Sequence, residues 1–451
     1  MRRLLLALSI LGVTSTSLAD SNVTFTRDVA PLLYKHCTRC HHPNDIAPMS
    51  LMTYDEVRPW AAAIREAVVT RTMPPWHADP RYGKFSNDPR LTDTEIATIV
   101  AWVKSGAPKG DPEQLPPPPV YGEGWKIGKP DAVFDIGQDF QVQPNSPDEY
   151  RYFTISTNFD GDRWLTAVEL RPGNRRIVHH AHVYLEQDLV QSQDGKTPLA
   201  SRYQYRLGHL THMKLDAPIK NDGCSVSDAG NEGAFLSNEG GTMMGSYLPG
   251  RGPELFPEGT AKRLPAGSKL TFQIHYSNGT GAIQSDRTEV GFKFASQAPD
   301  HPLHRIDISN YLFQIAPGAE NQEVSECHSF DKNIRIYSLV AHMHYRGKDM
   351  RFDLVRPDGQ QETLLFVPHY SFQWQQIYRF EDPVPVEKGS RLIITAHFDN
   401  SANNRWNPDP TRVIRWGEPS YEEMMDGWVE YIGVAPPGAA SKEIAAEAKP
   451  N

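Results

Sequence analysis

The hydrophobic rhythm of the chain changes once along its length. Over residues 22–110 apolar positions recur at helical spacing, and after about residue 125 they come in short alternating bursts separated by turn residues. Residues 25–34 and 54–68 read as helices. Leu91-Thr92-Asp-Thr-Glu95 is a capping box that opens a third helix. Its Ile96, Ile99, Val100 and Val103 stand at i, i+3, i+4 and i+7, and Gly106 is its stop. Strand-like runs follow over 150–156, 164–170, 177–185, 269–276, 289–294, 305–308, 335–344, 351–355, 391–398 and 427–432, with no helical run between them. The pattern predicts a multidomain chain: a small all-α domain over 22–110, then two tandem all-β antiparallel sandwiches over 125–298 and 299–435. Residues 111–124 form a proline-rich linker, semi-rigid where Pro116 to Pro119 favour polyproline II, and 436–451 form a tail.

Bulk composition narrows the function. With 39% hydrophobic and 22% charged residues the chain is of soluble globular type, and its 37 prolines and 33 glycines suit turn-rich β structure. A net charge of −9 argues against a nucleic-acid partner. Met1-Arg2-Arg3, the apolar run 4–13 and Ser17-Leu18-Ala19 read as a secretory signal over residues 1–19, which predicts a periplasmic or secreted bacterial protein. No later run approaches the ~18 apolar residues of a membrane span, so stable insertion is not expected.

The four cysteines divide two and two. Cys37-Thr-Arg-Cys40-His41 has the spacing for covalent c-type haem attachment, in which two thioethers hold the vinyl groups and the histidine ligates iron. A zinc site would want a second cysteine pair, and a redox dithiol a βαβ context. A thioether from a loop before the last helix suits the sixth iron position, and Met73 is the candidate; Met49 and Met52 lie too near His41 in sequence. On Cys37, Cys40, His41 and Met73 the segment resembles a class I cytochrome c, which implies one haem c carrying single electrons. Cys224 and Cys327 remain and can pair in an oxidising compartment.

Histidine patterning supplies the second chemistry. His342 and His344, two apart at the end of a strand, project from one face and suit copper or zinc. The alternative is a pair of half-buried sandwich histidines. A second cluster, His179-His180-Ala181-His182, and the isolated His275 strengthen the metal reading. On a regular strand His179 and His180 face opposite ways, so both can grip one ion only at a strand end or a bulge. Spacing alone prefers His180 with His182, and the choice stays open. A sulfur from 421–426 completes the second set.

Val178-His-His180, Ile274-His-Tyr276, His342-Met-His344 with Arg346-Gly-Lys348, and Glu422-Glu-Met424 occur in one order over about 145–435. In these motifs the chain resembles the copper type II, ascorbate-dependent monooxygenases. The resemblance implies two copper ions, one on His179, His180 and His275, the other on His342, His344 and Met424, where oxygen activation takes place. It leaves His182 a structural role. It implies hydroxylation of a small organic substrate with O2 and electrons from an external donor, a redox protein or small reductant; the haem fused to these motifs is expected to pass those electrons to the all-histidine copper. Val340 and Trp428 replace an arginine and a tyrosine that contact substrate in the peptide-amidating members, so a peptidylglycine is not the expected substrate. Cys327 resembles a family disulfide cysteine and leaves Cys224 as its mate. The alternative function is a haem- and copper-binding electron-transfer protein without hydroxylase activity.

Overall fold

The structure, a computed structural model, describes residues 23–43, 45, 47–121, 124–186, 243–248, 251–417 and 419–434. The expected signal, Cys224 and the tail lie outside the described residues. The chain forms two compact units. One is drawn from the chain up to Pro74 and from Arg90–Pro119, the other from Pro75–Pro89 and the chain from Val120 onward.

Among the described residues the first unit has four short α-helices: α1 (Ala30–His36), α2 (Tyr54–Val57), α3 (Ala61–Val69) and α4 (Asp93–Lys104). The capping box is present as read: Thr92 accepts from the Glu95 amide while Glu95 accepts from the Thr92 amide, and Thr53 with Glu56 does the same for α2. Phe25, Leu33, Ile99 and Trp102 pack in its interior, with Trp102 Nε1 donating to the Pro108 carbonyl at 3.0 Å.

These elements correct the expected fold class. The chain is 40% strand and 12% helix, and there is no all-α cytochrome c domain at the N-terminus. Only α3 and α4 exceed two turns, and most of 37–53 runs as turns and bends. Proline is the physical cause. Pro59 lacks an amide hydrogen, so the helix expected over 54–68 breaks into α2, a 3-10 turn at Arg58–Trp60 and α3. Helices this short draw their stability from tertiary packing.

The second unit is built from strands. In chain order the principal ones are β1 (Ala132–Asp135), β2 (Ser146–Ser156), β3 (Arg163–Arg171), β4 (Val178–Glu186), β5 (Met243–Tyr247), β6 (Thr260–Leu264), β7 (Lys269–Asn278) and β8 (Glu289–Phe294). They continue with β9 (His301–Ser309), β10 (Gln322–Ser329), β11 (Ile334–His342), β12 (Gly347–Val355), β13 (Gln361–Val367), β14 (Tyr378–Val386), β15 (Arg391–Phe398) and β16 (Asp426–Gly433).

One long sheet runs in the order β1-β8-β3-β6-β9-β16-β11-β14 and so passes through both halves. Two four-stranded sheets face it, β2-β7-β4-β5 and β10-β15-β12-β13. The two expected tandem sandwiches are therefore not independent. They share a sheet, joined where β9 pairs in parallel with β6 at His301↔Thr260 and Pro302↔Ala261. Each half keeps its own core, one around Phe272, Ile274 and Phe292, the other around Ile336, Phe352 and Phe398.

Residues 75–89, which the helical rhythm places in the first domain, pack in the second unit. Asp79 N–H donates to the Phe366 carbonyl, Ser86 N–H to Arg379, and Glu381 N–H to Lys84. Trp76 and Phe85 enter the second core beside Tyr378 and Phe380. Apolar aromatic residues in a segment without helical periodicity gave no sign of which core they would join.

Candidate metal centre

The first candidate centre is made by a flaw in a strand pair. β4 and β7 run antiparallel with Val178 opposite Tyr276 and His180 opposite His275. One residue, His179, is left over on β4. A bulge turns the extra side chain away from its regular face, and the three imidazoles converge. His179 Nδ1 lies 3.2 Å from His180 Nδ1, and His275 Nδ1 lies 3.4 Å from the same atom. A ligand atom from each of the three lies within 4.8 Å of the others, and these residues can hold a metal ion. The bulge thus decides for His179, and His182 falls outside the group. Tyr150, opposite His275 on β2, stacks on it at 4.4 Å between ring centroids.

Burial prepares the donors. It holds the His180 imidazole well below its ordinary titration range, with the neighbouring His182 and His275 acting in the same direction. Neutral imidazole is the form that binds metal. His182, two residues on and likewise buried, has its ring 5.2 Å from that of His180 and faces Trp428 at 6.4 Å.

The second set sits at the end of β11. His342 is paired with Asp426 of β16, and its ring is 5.3 Å from that of His344. Burial pushes His342 down to about 4, although its bond to Gln375 opposes this. The Gln375 amide oxygen is 2.6 Å from His342 Nδ1, so the imidazole donates there and Nε2 is left for a ligand. Burial also lowers His344 strongly.

The segment carrying Met424 is held against this pair by Glu423. Its carboxylate accepts the His344 amide at 2.7 Å and the Arg346 amide at 2.6 Å, while burial raises its pKa to about 8. His344 Nδ1 is 3.2 Å from the Glu422 carbonyl. Arg346, fully buried, donates to Asn400 Oδ1 and the Tyr421 carbonyl. The turn at Tyr345 and Arg346 is thereby also a buried clasp on residues 421–424. Met424 itself is partly buried against the second core, and Met425 is fully buried.

Phe372 links the two sets, lying 6.0 Å from the His179 ring and 5.6 Å from that of His344. Phe372, Gln375 and Glu423 escaped the sequence reading. The first two stand in a loop with no periodicity or metal-ligand spacing, and Glu423 read only as part of a motif, not as the carboxylate that ties two segments.

In the first unit Cys37 and Cys40 stand at the end of α1, with the Cys40 and His41 amides both donating to the Cys37 carbonyl. His41 Nδ1 is 3.2 Å from the Met49 carbonyl, which fixes the ring and leaves Nε2 available. Met73 follows α3, its amide donating to the Ala67 carbonyl. Cys327 is disulfide-bonded; Cys224, its expected partner, lies outside the described residues.

Solved structures similar to this chain include the major capsid protein P2 from Bacteriophage PM2, at 12% identity over 67% of this chain and 99% of that one, with a TM-score of 0.23. A Paenibacillus xanthan lyase matches at 11% identity over 73% of this chain and 28% of its own, with a TM-score of 0.17. Scores this low carry no argument about fold or chemistry. The informative match covers residues 314–439, the span that bears His342, His344 and Met424, and it is to the C-terminal domain of the copper type II ascorbate-dependent monooxygenases. By this match residues 314–439 are similar to a domain of copper-dependent monooxygenases.

Proposed function

We propose that the protein is an exported monooxygenase that hydroxylates a small organic substrate with O2, using one copper ion at His179, His180 and His275 and another at His342, His344 and Met424. The observation that carries this reading is the convergence of the three imidazoles on the β4 bulge, outside the matched segment. The donor chemistry suits copper in both centres: imidazole serves both oxidation states, and a thioether favours the reduced one. Bound copper would supply one-electron redox chemistry and oxygen activation. The chain's part is to keep the His180, His342 and His344 imidazoles neutral by burial and to orient His342 through Gln375 and His344 through the Glu422 carbonyl.

In the same reading Cys37, Cys40, His41 and Met73 would hold a covalently attached haem c, which would pass on single electrons from an external donor. The Cys-x-x-Cys-His spacing and the His41–Met49 bond support it. Residues 1–19 support export to the periplasm or beyond.

The test is metal analysis with electron paramagnetic resonance of protein matured in a periplasm, followed by oxygen uptake with a panel of organic substrates. Two type II copper signals, one low-spin haem and substrate-dependent oxygen uptake are expected. Copper that survives replacement of His275 and His342 by alanine would refute the site. Both coppers present but no oxygen uptake with any substrate would favour an electron-transfer role.

A further inference from the structure

A third cluster adjoins the two histidine sets. Met243, Val340, Ile377 and Trp428 form a small buried apolar group distinct from both sandwich cores. Trp428 is the wall it shares with His342, whose ring stacks on the indole at 5.1 Å and 18°. Arg305 borders this group, and Arg251 is near enough for the two charges to bear on each other. Arg305, on β9, lays its guanidinium over the Trp428 ring at 4.2 Å. Its Nε donates to Asp307 at 2.7 Å and its Nη1 meets Met243 Sδ at 3.0 Å, but Nη2 has no partner among the described residues. Arg251 faces Glu254 through Nη2 at 3.6 Å, while its Nε and Nη1 have none. Both side chains are more than nine-tenths buried, at 9% and 8% exposure.

The surrounding carboxylates are already engaged. Glu254 accepts from Ser246 Oγ at 2.9 Å, and Glu430 accepts from Lys262 at 2.7 Å and from Ser338 at 2.8 Å. Asp307 is taken by Arg305 Nε. With Arg379 also bearing on the cluster, four cations meet three carboxylates among the described residues. The charges of Arg251 and Arg305 both bear on His182, and that of Arg305 also on His342, which places the pair beside the candidate centres. Buried guanidinium N–H groups without acceptors are costly, and natural proteins keep them where a ligand answers them. A single negative charge restores the balance, and a guanidinium fork matches a planar carboxylate.

We propose that Arg251 and Arg305 bind the carboxylate of a small organic acid whose apolar body lies along Trp428 toward His342. The anion site stands on this geometry alone; calling its occupant the substrate rests on the proposed monooxygenase reading. The pair specifies the class of molecule: one carboxylate on an aromatic or aliphatic body, in preference to a neutral or cationic compound. No base in this cluster need move a proton for binding.

The full chain, freed of copper by chelation, is titrated calorimetrically with acetate, benzoate and phenylacetate, and with benzamide and phenylacetamide as neutral isosteres. Inorganic phosphate serves as the competitor. An apolar carboxylate is expected to bind at least ~10-fold more tightly than its amide. Arg305→Gln and Arg251→Gln should each weaken carboxylate binding far more than amide binding and so remove most of that preference. Should either variant fail to fold, Arg305→Lys and Arg251→Lys keep the charge and lose the fork, and should weaken carboxylate binding ~3-fold or more. Equal binding of acids and amides, no acid binding at all, unchanged affinity in all variants, or displacement by phosphate as effective as by benzoate would each overturn the proposal. Copper stoichiometry is measured separately on the same protein, so a missing metal would defeat the monooxygenase reading without touching the carboxylate result.

Discussion

His180 stands directly opposite His275 in the antiparallel pairing of β4 and β7, their Nδ1 atoms 3.4 Å apart, and the residue that completes the cluster is His179, which the pairing skips. A regular β4 would carry His179 to the opposite face and leave His180 with His182. The bulge exchanges one histidine for another. Which histidine joins the cluster is therefore a property of strand register, not of spacing.

This exchange gives the first prediction. His275→Ala should lower bound copper by roughly one equivalent per chain, because two of three imidazoles make a much weaker site. His182→Ala should leave the copper count unchanged. Atomic absorption on dialysed protein decides it, and equal loss in both variants would return the choice to His180 with His182.

Gln375 offers a test of the other set. Its amide oxygen fixes His342 with Nδ1 as donor. Replacing it by leucine frees the ring and permits the other tautomer. Copper affinity at this centre should fall about 10- to 100-fold, read by competition with a chelator, while the copper on His275 and its neighbours is retained.

The Lys262–Glu430 pair lies at the seam of the two halves, its nitrogen and oxygen 2.7 Å apart and the lysine side chain 3% exposed. Glu430→Leu alone should destabilise the chain by about 3 kcal/mol, since it takes from a buried ammonium its near carboxylate and leaves it only Glu254 at 3.9 Å. Lys262→Met with Glu430→Leu should recover most of that loss. Denaturant melts of the three variants form the cycle, and a double variant no better than the single would show that the pair is not acting as a unit.

Acid should act on the helical unit through Glu95. Burial raises its carboxyl, but the Thr92 bonds, Lys35 and His36 outweigh this and hold it down to about 2. A carboxylate depressed on folding stabilises the protein above its ordinary range, and that contribution disappears as pH falls from about 4.5 through about 2. Glu95→Ala should cost ~1 kcal/mol near neutrality and almost nothing at pH 2. Thermal melts followed by circular dichroism across that range check the slope.

Much of the architecture is legible along the chain because it depends on neighbours in sequence. Alternation marks β3, β7 and β15, and the box at Thr92 and Glu95 marks the start of α4. The motifs that hold His342 and His344, and the Cys37-x-x-Cys40-His41 spacing, are equally local. What the chain does not reveal is anything fixed by partners distant in sequence. β10, β13 and β14 escaped because their solvent-side residues dilute the alternation.

The amino-acid sequence by itself determined which side chains of this protein carry chemistry, since imidazole, thiol and thioether are intrinsic to the residue, and where most strands begin, since period-two burial is written in nearest neighbours. Only the tertiary structure decided that one sheet threads both halves, that residues 75–89 leave the helical unit, that the N-terminal helices do not make the cytochrome c domain their spacing suggested, and that His179 rather than His182 joins His180 and His275. Each of these depends on register or packing between segments tens to hundreds of residues apart, where the free energy lies in contacts that no local window contains.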